Sequence, residues 1–294
     1  MGPVSGETAD AECMATDISR DGACMTSGNA PNPAEIYDQY FGPAMFIPSS
    51  KALLEQAAPS AGQRVIDLAC GSGVVTELIA NAVGSDGSVV GLDFSPPMLG
   101  VAGAKQISGA PVEWVEANVA EIPFPDASFD LATCQHGVQF FPDPLVCAKE
   151  VKRVLKPGGR FAFTVWANKS EHPLMEAMFE SISKRLGVPI EATAKPFMFG
   201  PLADLASLLS NAGYREIQSE TKSFQVTFPQ SDRWAQLSVL GAAAAIPAFQ
   251  DLSADDRADL IPGVASDIGD MIKDYTDGDT VVFTMTSHYA VGIA

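Results

Sequence analysis

The sequence predicts an α/β fold with a parallel sheet covered by helices on both faces, and three observations lead to it. Between residues 51 and 166, short apolar runs alternate with segments of helical periodicity. The first apolar run, 65–69, leads into the tight turn Gly71-Ser72-Gly73 and then into a helix-like segment. A second apolar run ends in an acid, Asp93. Strands that alternate with helices form parallel sheets, and right-handed crossovers bring their ends to one edge.

The elements of this regular part follow from periodicity and from glycine and proline. Apolar runs predict strands at 65–69, 88–93, 112–117, 128–134 and 160–166. Apolar residues at helical spacing predict helices at 51–58, 74–83, 96–106 and 144–155. Pro96 suits the first turn of its helix because its φ is fixed. The tetrad Lys156-Pro157-Gly158-Gly159 is expected to end the last helix before the fifth strand.

The pattern after residue 166 is looser. Periodicity predicts helices at 174–186, 202–212, 231–246 and 254–275, and alternation predicts strands at 214–220, 224–228 and 280–289. The helices between about residues 229 and 278 form an insertion. We expect this insertion to be a lid that excludes water from a neighbouring pocket, and the alternative is a stabilising appendage.

The N-terminal part divides into two segments. Residues 1–32 are rich in Gly, Ser, Thr, Ala and Asp, with little periodicity, and are predicted to be a disordered leader. Residues 33–294 form the predicted domain. Its first segment, 34–46, carries Tyr37, Tyr40 and other aromatic residues at helical spacing. We expect a helical cover that lies on the ligand pocket or simply on the core.

Composition limits the class of protein and its partners. The 294 residues are 47% hydrophobic, which suits a well-packed globular protein. The formal net charge of −18 disfavours nucleic acid and anionic membranes as partners. No apolar window long enough to span a membrane and no secretion signal are found in the sequence. The five cysteines form no CxxC pair, so we expect free thiols and a cytoplasmic protein of unknown oligomeric state.

Two details of the glycine turn weigh against the fingerprint of dinucleotide-binding enzymes, although an NAD(P)-dependent oxidoreductase remains an alternative. That fingerprint needs a third glycine three residues after the second, where this chain has Thr76. Asp67 lies inside the first strand, four residues before Gly71. A buried acid there must accept hydrogen bonds, most simply from loop amides or from an amine of the ligand.

Four motifs together carry a resemblance to a known family. They are Asp67-x-x-x-Gly71-x-Gly73, Gly91-Leu92-Asp93-Phe94-Ser95-Pro96-x-Met98-Leu99, Pro123-Phe124-Pro125-Asp126-x-Ser128-Phe129-Asp130 and Leu155-Lys156-Pro157-Gly158-Gly159. In this order, they resemble class I S-adenosylmethionine-dependent methyltransferases over residues 36–166. The resemblance is strongest to the type 11 branch, which includes quinone-biosynthesis C-methyltransferases and small-molecule O-methyltransferases. It implies a Rossmann-like seven-stranded sheet in the order 3-2-1-4-5-7-6, with the strand at 280–289 antiparallel.

The resemblance also implies S-adenosyl-L-methionine as cofactor, S-adenosyl-L-homocysteine as product, and a set of binding residues. Asp67 would anchor the amino end of the methionine part, and Gly71 and Gly73 would pass beneath the methionine and ribose parts. Asp93 would bind the ribose hydroxyls. The remaining predicted cofactor residues are Phe94, Met98, Asn118 and Val119 at the adenine, Gln135 beside the transferred methyl, and Tyr37 closing over the sulfonium.

Two positions depart from the family pattern. Asn118 stands where the family usually has Asp, but its amide oxygen can still accept a hydrogen bond from the adenine amine. Ala69 stands where many members have a first glycine, which predicts slightly less room. We expect both positions to remain compatible with binding.

Methyl transfer needs an acceptor held in line with the sulfonium and, for some acceptors, a base. The candidate bases are His136, which follows the fourth predicted strand, and His172, which follows the fifth. No cluster has metal-ligand spacing, so no metal is expected. The predicted acceptor is a small, largely apolar metabolite methylated at oxygen or carbon, and a non-catalytic S-adenosylmethionine-binding protein is a second alternative. The aromatic residues that could line the acceptor pocket include Phe140, Phe141, Trp166 and Phe197.

Overall fold

The computed structural model describes residues 33–243, 246–250 and 252–294, so the predicted leader lies outside the described residues. The described strands belong to one sheet. They are β1 (Arg64–Leu68), β2 (Ser88–Asp93), β3 (Val112–Glu116), β4 (Phe129–Gln135), β5 (Leu155–Trp166), β6 (Arg215–Pro229), β7 (Thr276–Asp277) and β8 (Thr280–Ile293).

Twelve α-helices are described in these parts of the chain. They are α1 (Pro33–Ile36), α2 (Ile47–Ala57), α3 (Val74–Val83), α4 (Pro96–Gly103), α5 (Pro144–Val154), α6 (Pro173–Leu186), α7 (Ile190–Thr193), α8 (Leu202–Asn211), α9 (Trp234–Ala243), α10 (Pro247–Gln250), α11 (Ala254–Asp267) and α12 (Gly269–Lys273). A π-helical segment, Tyr37–Phe46, joins α1 to α2. We name this segment the cover helix.

The strand order confirms the fold that the sequence predicts. It is β3-β2-β1-β4-β5-β8-β6, with the two-residue β7 paired to β8 at its side. β1 to β5 pair with one another in parallel, whereas β8 is antiparallel to both β5 and β6. β8 is therefore the predicted reversed strand, and the short β7 adds an eighth strand to the predicted seven. The ends of β1, β2 and β4 lie at one edge of the sheet.

The core explains why the strands read as continuous apolar runs. β1, β2 and β4 are covered on both faces, and nearly all of their side chains are buried. α3 packs its apolar stripe, Ile79, Ala80 and Val83, against this sheet. α5 begins at Asp143, whose carboxylate accepts the backbone N–H groups of Leu145 and Val146.

Several predicted boundaries were wrong, each for a local reason. β5 begins at Leu155, because the tetrad that follows is accommodated by a register shift against β4 and by a φ of +84° at Gly158. The two predicted strands at 214–220 and 224–228 form the single strand β6, since it pairs with β8 along nearly all its length. α4 ends at Gly103, three residues before its predicted end.

The predicted insertion at 229–278 contains α9 to α12 and β7, and its second predicted helix is broken between α11 and α12 at Ile268. It packs on the cover helix, where the backbone of Gly241 in α9 lies so close to the Phe41 ring that a Cβ would clash. Its role as a lid stays a prediction. None of the described helices combines the length and the apolarity that crossing a membrane requires.

Candidate cofactor cleft

A cleft of about 340 Å³, including its open mouth, lies where β1 and β4 end. Four of the predicted cofactor residues line it, namely Tyr37, Asp67, Gly71 and Gln135. The other lining residues are Phe46, Ala69, Cys70, Ser72, Val74 and Val75. The cleft therefore joins the glycine turn, the end of β4 and the cover helix, which are distant in sequence.

Asp67 forms part of the cleft wall and is 1% exposed. Its two carboxylate oxygens accept hydrogen bonds from the hydroxyls of Thr76 (2.6 Å) and Thr133 (2.8 Å). Burial raises the pKa of Asp67 to about 6, although these hydrogen bonds oppose the shift. Threonine hydroxyls hold the carboxylate in place of the expected loop amides, and its predicted role at the amino end of the methionine part stays a prediction. Thr76 packs fully buried at the position where a dinucleotide fingerprint needs glycine.

The two glycines of the turn have different roles. Both have positive φ, +55° at Gly71 and +82° at Gly73. A Cβ on Gly71 would lie 4.0 Å from the Tyr37 ring and would point into the cleft. A Cβ on Gly73 would lie 2.6 Å from Cη2 of Trp114 in β3. Core packing against Trp114 thus requires glycine at position 73, and the predicted place of Gly73 beneath the cofactor stays a prediction, whereas no side chain crowds Gly71.

Asp93 connects the end of β2 to the glycine turn. Its carboxylate accepts the backbone N–H of Gly71 at 2.8 Å and that of Ser95 at 2.9 Å. It is 6% exposed, and burial raises its pKa. The predicted ribose acid is therefore sheltered from bulk solvent, and the same carboxylate fixes the shape of the turn.

The cover helix closes the cleft from above. Tyr37 stacks on Phe46, with ring centroids 4.7 Å apart, and burial, with a smaller contribution from Asp93, raises the pKa of the phenol. Gln135 donates a hydrogen bond from Nε2 to the backbone oxygen of Phe46 at 2.9 Å, which fixes the helix to the end of β4. An ion pair of 2.6 Å joins Asp38 of the cover helix to Lys105, just after α4.

The four residues predicted at the adenine lie outside the cleft lining. Phe94 is 74% exposed, Asn118 is exposed, and Met98 is half-buried. The Asn118 side-chain oxygen accepts the backbone N–H of Ala120 at 2.9 Å. Val119 is buried in the core. Their roles at the adenine therefore stay predictions.

Both candidate bases have occupied ring nitrogens. His136, with φ +52°, hydrogen-bonds with the hydroxyl of Ser49 (2.9 Å) and with that of Thr164 (3.1 Å), and its ring stacks on Trp166. His172 contacts the backbone of Asn168 and Thr286 through its two nitrogens. Burial lowers the pKa of both imidazoles, so they remain neutral near pH 7. Neither is part of the cleft lining, and their role as bases stays a prediction.

Sequence reasoning missed several residues at the site. Ser72 is 1% exposed, lines the cleft, and its hydroxyl has no hydrogen-bond partner within the described parts of the chain. A buried polar group without a partner is costly, so this hydroxyl fits a polar ligand in the cleft. Its place between the two glycines was a usable signal. Thr133 had no local signal, because it is 66 residues from Asp67.

A comparison with protein families shows which proteins this arrangement resembles. Residues 66–163, which run from β1 to β5 and include the glycine turn, Asp93 and Gln135, match the family model described as "Methyltransferase domain". This segment is similar to that family. The match does not favour the nicotinamide oxidoreductase alternative.

Known proteins similar to this chain carry related names. A 2-phytyl-1,4-naphthoquinone methyltransferase of Synechococcus elongatus is 39% identical over 139 residues, covering 46% of this chain and 59% of the relative. A demethylmenaquinone methyltransferase of Staphylococcus aureus is 42% identical over 109 residues, covering 37% and 45%. The chain thus spans about half the length of these relatives.

A solved structure extends the likeness in fold beyond this segment. Phosphoethanolamine N-methyltransferase 2 of Haemonchus contortus, in complex with phosphomonomethylethanolamine and S-adenosylhomocysteine, has a TM-score of 0.53 at 19% identity. The alignment covers 88% of this chain and 56% of that chain. Most of this chain therefore shares its overall fold with the aligned part of that structure.

Proposed function

We propose that this protein is an S-adenosylmethionine-dependent methyltransferase that transfers a methyl group to carbon or oxygen of a small, largely apolar acceptor of the quinone or phenol class. The observation that carries the proposal is the enclosed cleft at the glycine turn of the methyltransferase domain, with the unpartnered hydroxyl of Ser72 in its wall. The names of the two quinone methyltransferases support the acceptor class.

Different residues are proposed to bind the methionine part and the nucleoside part of the cofactor. In the proposal, Asp67, Gly71, Ser72 and Gln135 hold its methionine part, because these four polar or glycine residues line the cleft. Asp93 lies outside the cleft lining but holds the glycine turn, and in the proposal its oxygens, which accept the N–H groups of Gly71 and Ser95, also bind the ribose hydroxyls. The nucleoside surface predicted there is Phe94, Met98, Asn118 and Val119.

In methyl transfer, the main task of the protein is to position the cofactor and the acceptor. The bound cofactor supplies a methyl group on a cationic sulfonium. Tyr37 and Phe46 line the cleft with aromatic rings, which attract a cation and exclude water. Holding the reactants in line is credited with roughly 7–11 kcal/mol in intramolecular reactions. An acceptor that is already ionised, or that ionises easily, would need no general base.

Two measurements test the proposal. Calorimetry should detect binding of S-adenosyl-L-methionine and S-adenosyl-L-homocysteine but not of NADH. Incubation with labelled cofactor and a panel of phenols, hydroquinones and reduced naphthoquinones should give a product heavier by one methyl group. Binding of NADH alone would contradict the proposal, and cofactor binding without methylation of any compound would favour the non-catalytic alternative.

A further inference from the structure

The side chain of Gln139 has an unused pair of hydrogen-bond donors in the interior. Gln139 lies in the 3₁₀ turn Val138–Phe140 just after β4 and is 6% exposed. Its Oε1 accepts the backbone N–H of Trp166 at 3.1 Å. Its Nε2 is buried and has no hydrogen-bond partner within the described residues.

The orientation of this amide is fixed by its one partner. The Trp166 backbone N–H can only donate, so the oxygen of Gln139, and not its nitrogen, must face it. Rotating the amide by half a turn would place two donors against each other. The unused group is therefore the NH₂, and buried amides of this kind are normally paired with protein, water or ligand.

The surroundings of Gln139 connect it to the cleft. The indole of Trp166 stacks on His136 at 3.6 Å and lies 6.1 Å from the ring of Phe197 and 6.5 Å from that of Phe46. Phe46 is a wall of the cofactor cleft. The turn that carries Gln139 also packs against the 3₁₀ turn Lys195–Phe197. Gln139 thus holds the backbone of a residue whose indole belongs to an aromatic cluster that reaches the cleft at Phe46.

We propose that Gln139 binds the oxygen of the methyl acceptor, so that the acceptor is an aromatic compound carrying a phenolic or quinonoid oxygen. This inference rests on the proposed function and adds the residue that selects the acceptor. Aromatic rings around Trp166 stack with the apolar body of the acceptor, while the amide pairs with its oxygen. Sites that bind a polar group through a buried partner reject the analogue that lacks it.

The same hydrogen bond prepares the acceptor for transfer. An amide N–H donates to an ionised oxygen more strongly than to a neutral one, because charge-assisted hydrogen bonds are stronger. Gln139 therefore favours the ionised acceptor without taking its proton. The proton leaves to solvent before the acceptor is enclosed, which agrees with the occupied nitrogens of His136 and His172.

The test compares 1-naphthol with naphthalene, which lacks the oxygen, by equilibrium binding to the full chain with and without S-adenosyl-L-homocysteine. Wild type should bind 1-naphthol about tenfold more tightly than naphthalene. Gln139→Glu keeps the acceptor for Trp166 but removes both donors, and it should reduce this preference to about twofold or less. In absorbance titrations, bound 1-naphthol should ionise at a lower pH on wild type than on Gln139→Glu.

The matched control is Gln63→Glu, because Gln63 also accepts a backbone N–H through Oε1 but lies in the turn before β1. It should keep the wild-type preference. Gln139→Met is the second variant should Gln139→Glu fail to fold. Equal binding of the two compounds by wild type, failure to bind either, or an unchanged preference in the folded Gln139 variants overturns the inference. Absent S-adenosyl-L-homocysteine binding with an intact, Gln139-dependent preference would instead overturn the proposed function alone.

Discussion

Asp67 and Asp93 are both buried carboxylates at the ends of neighbouring strands, but different parts of the molecule hold them. Asp67 accepts hydrogen bonds from the hydroxyls of Thr76 and Thr133, which are themselves fully buried. Asp93 accepts them from backbone N–H groups of the loops that follow β1 and β2. The comparison teaches that the Asp67 side of the glycine turn, where we propose the methionine part, is held by the core, whereas the Asp93 side, where we propose the nucleoside, is held by loops beside exposed residues such as Phe94.

The largest expected effect concerns Asp67 and pH. Its pKa of about 6 lies above the value of about 3.9 for an unfolded chain. As pH rises from about 4 to 6, the unfolded chain therefore ionises first, and the free energy of unfolding falls by about 2–3 kcal/mol. Asp67→Asn cannot ionise, so its free energy of unfolding should not show this fall between about pH 4 and pH 6. Urea unfolding of both proteins across this pH range measures it, and parallel pH profiles would show that Asp67 is not the group responsible.

The second effect separates the two glycines of the turn. Gly73→Ala forces a Cβ against Trp114 in a backbone conformation that alanine adopts poorly, so stability should fall by about 2–3 kcal/mol. Gly71→Ala has the same backbone cost of about 1 kcal/mol but no contact closer than 4.0 Å. It should mainly weaken cofactor binding, because its methyl group enters the cleft.

Urea unfolding and calorimetry on both glycine variants make this comparison. The double variant that combines Gly73→Ala with Trp114→Leu should be more stable than Gly73→Ala alone. The added Cβ clashes with the six-membered ring of Trp114, which leucine lacks. No recovery, together with equal stability losses in the two single variants, would contradict the division of roles between Gly71 and Gly73.

How much of this could be predicted from the sequence depends on the range of the contacts involved. α3 and β2 were predicted at their observed bounds, because glycine, proline and periodicity act locally. The roles of Gly73 and Asp67 could not be read from their neighbours. Trp114 fills the space beside Gly73 from another strand, and Thr133 reaches Asp67 across the β1–β4 pair.

The histidines show the same limit at the candidate site. Their position after β4 and β5 is visible in the sequence, but the occupation of their nitrogens is not. Ser49 reaches His136 from α2, 87 residues earlier, and Thr286 reaches His172 from β8, 114 residues later. Both partners come from segments whose packing is set by the whole fold, so residue type and spacing alone could suggest a base but not exclude a structural role.

The third expected effect concerns Asp93, whose carboxylate is held by loop N–H groups. Asp93→Ala should weaken S-adenosyl-L-methionine binding by about tenfold, or about 1.4 kcal/mol, because it removes both the ribose acceptor and the support for Gly71. The matched control is Asp143→Ala, since Asp143 also accepts two backbone N–H groups but caps α5 outside the cleft lining. Calorimetry should find wild-type affinity in the control. Undiminished affinity in Asp93→Ala would remove the ribose assignment.

The smallest expected effect concerns the ion pair between Asp38 and Lys105. Asp38 and Lys105 are each 20% exposed, so their ion pair should contribute under about 1 kcal/mol to stability. It nevertheless joins the cover helix, next to Tyr37, to the chain just after α4, which carries Met98. Lys105→Met should therefore leave the free energy of unfolding almost unchanged but speed release of S-adenosyl-L-homocysteine about two- to threefold.

Stopped-flow fluorescence should find that raising salt speeds release from wild type and not from the variant, since salt screens the ion pair. If release is equally fast from both at low salt, the cover helix is held by Gln135 and its aromatic packing alone, and the nucleoside end opens independently of it.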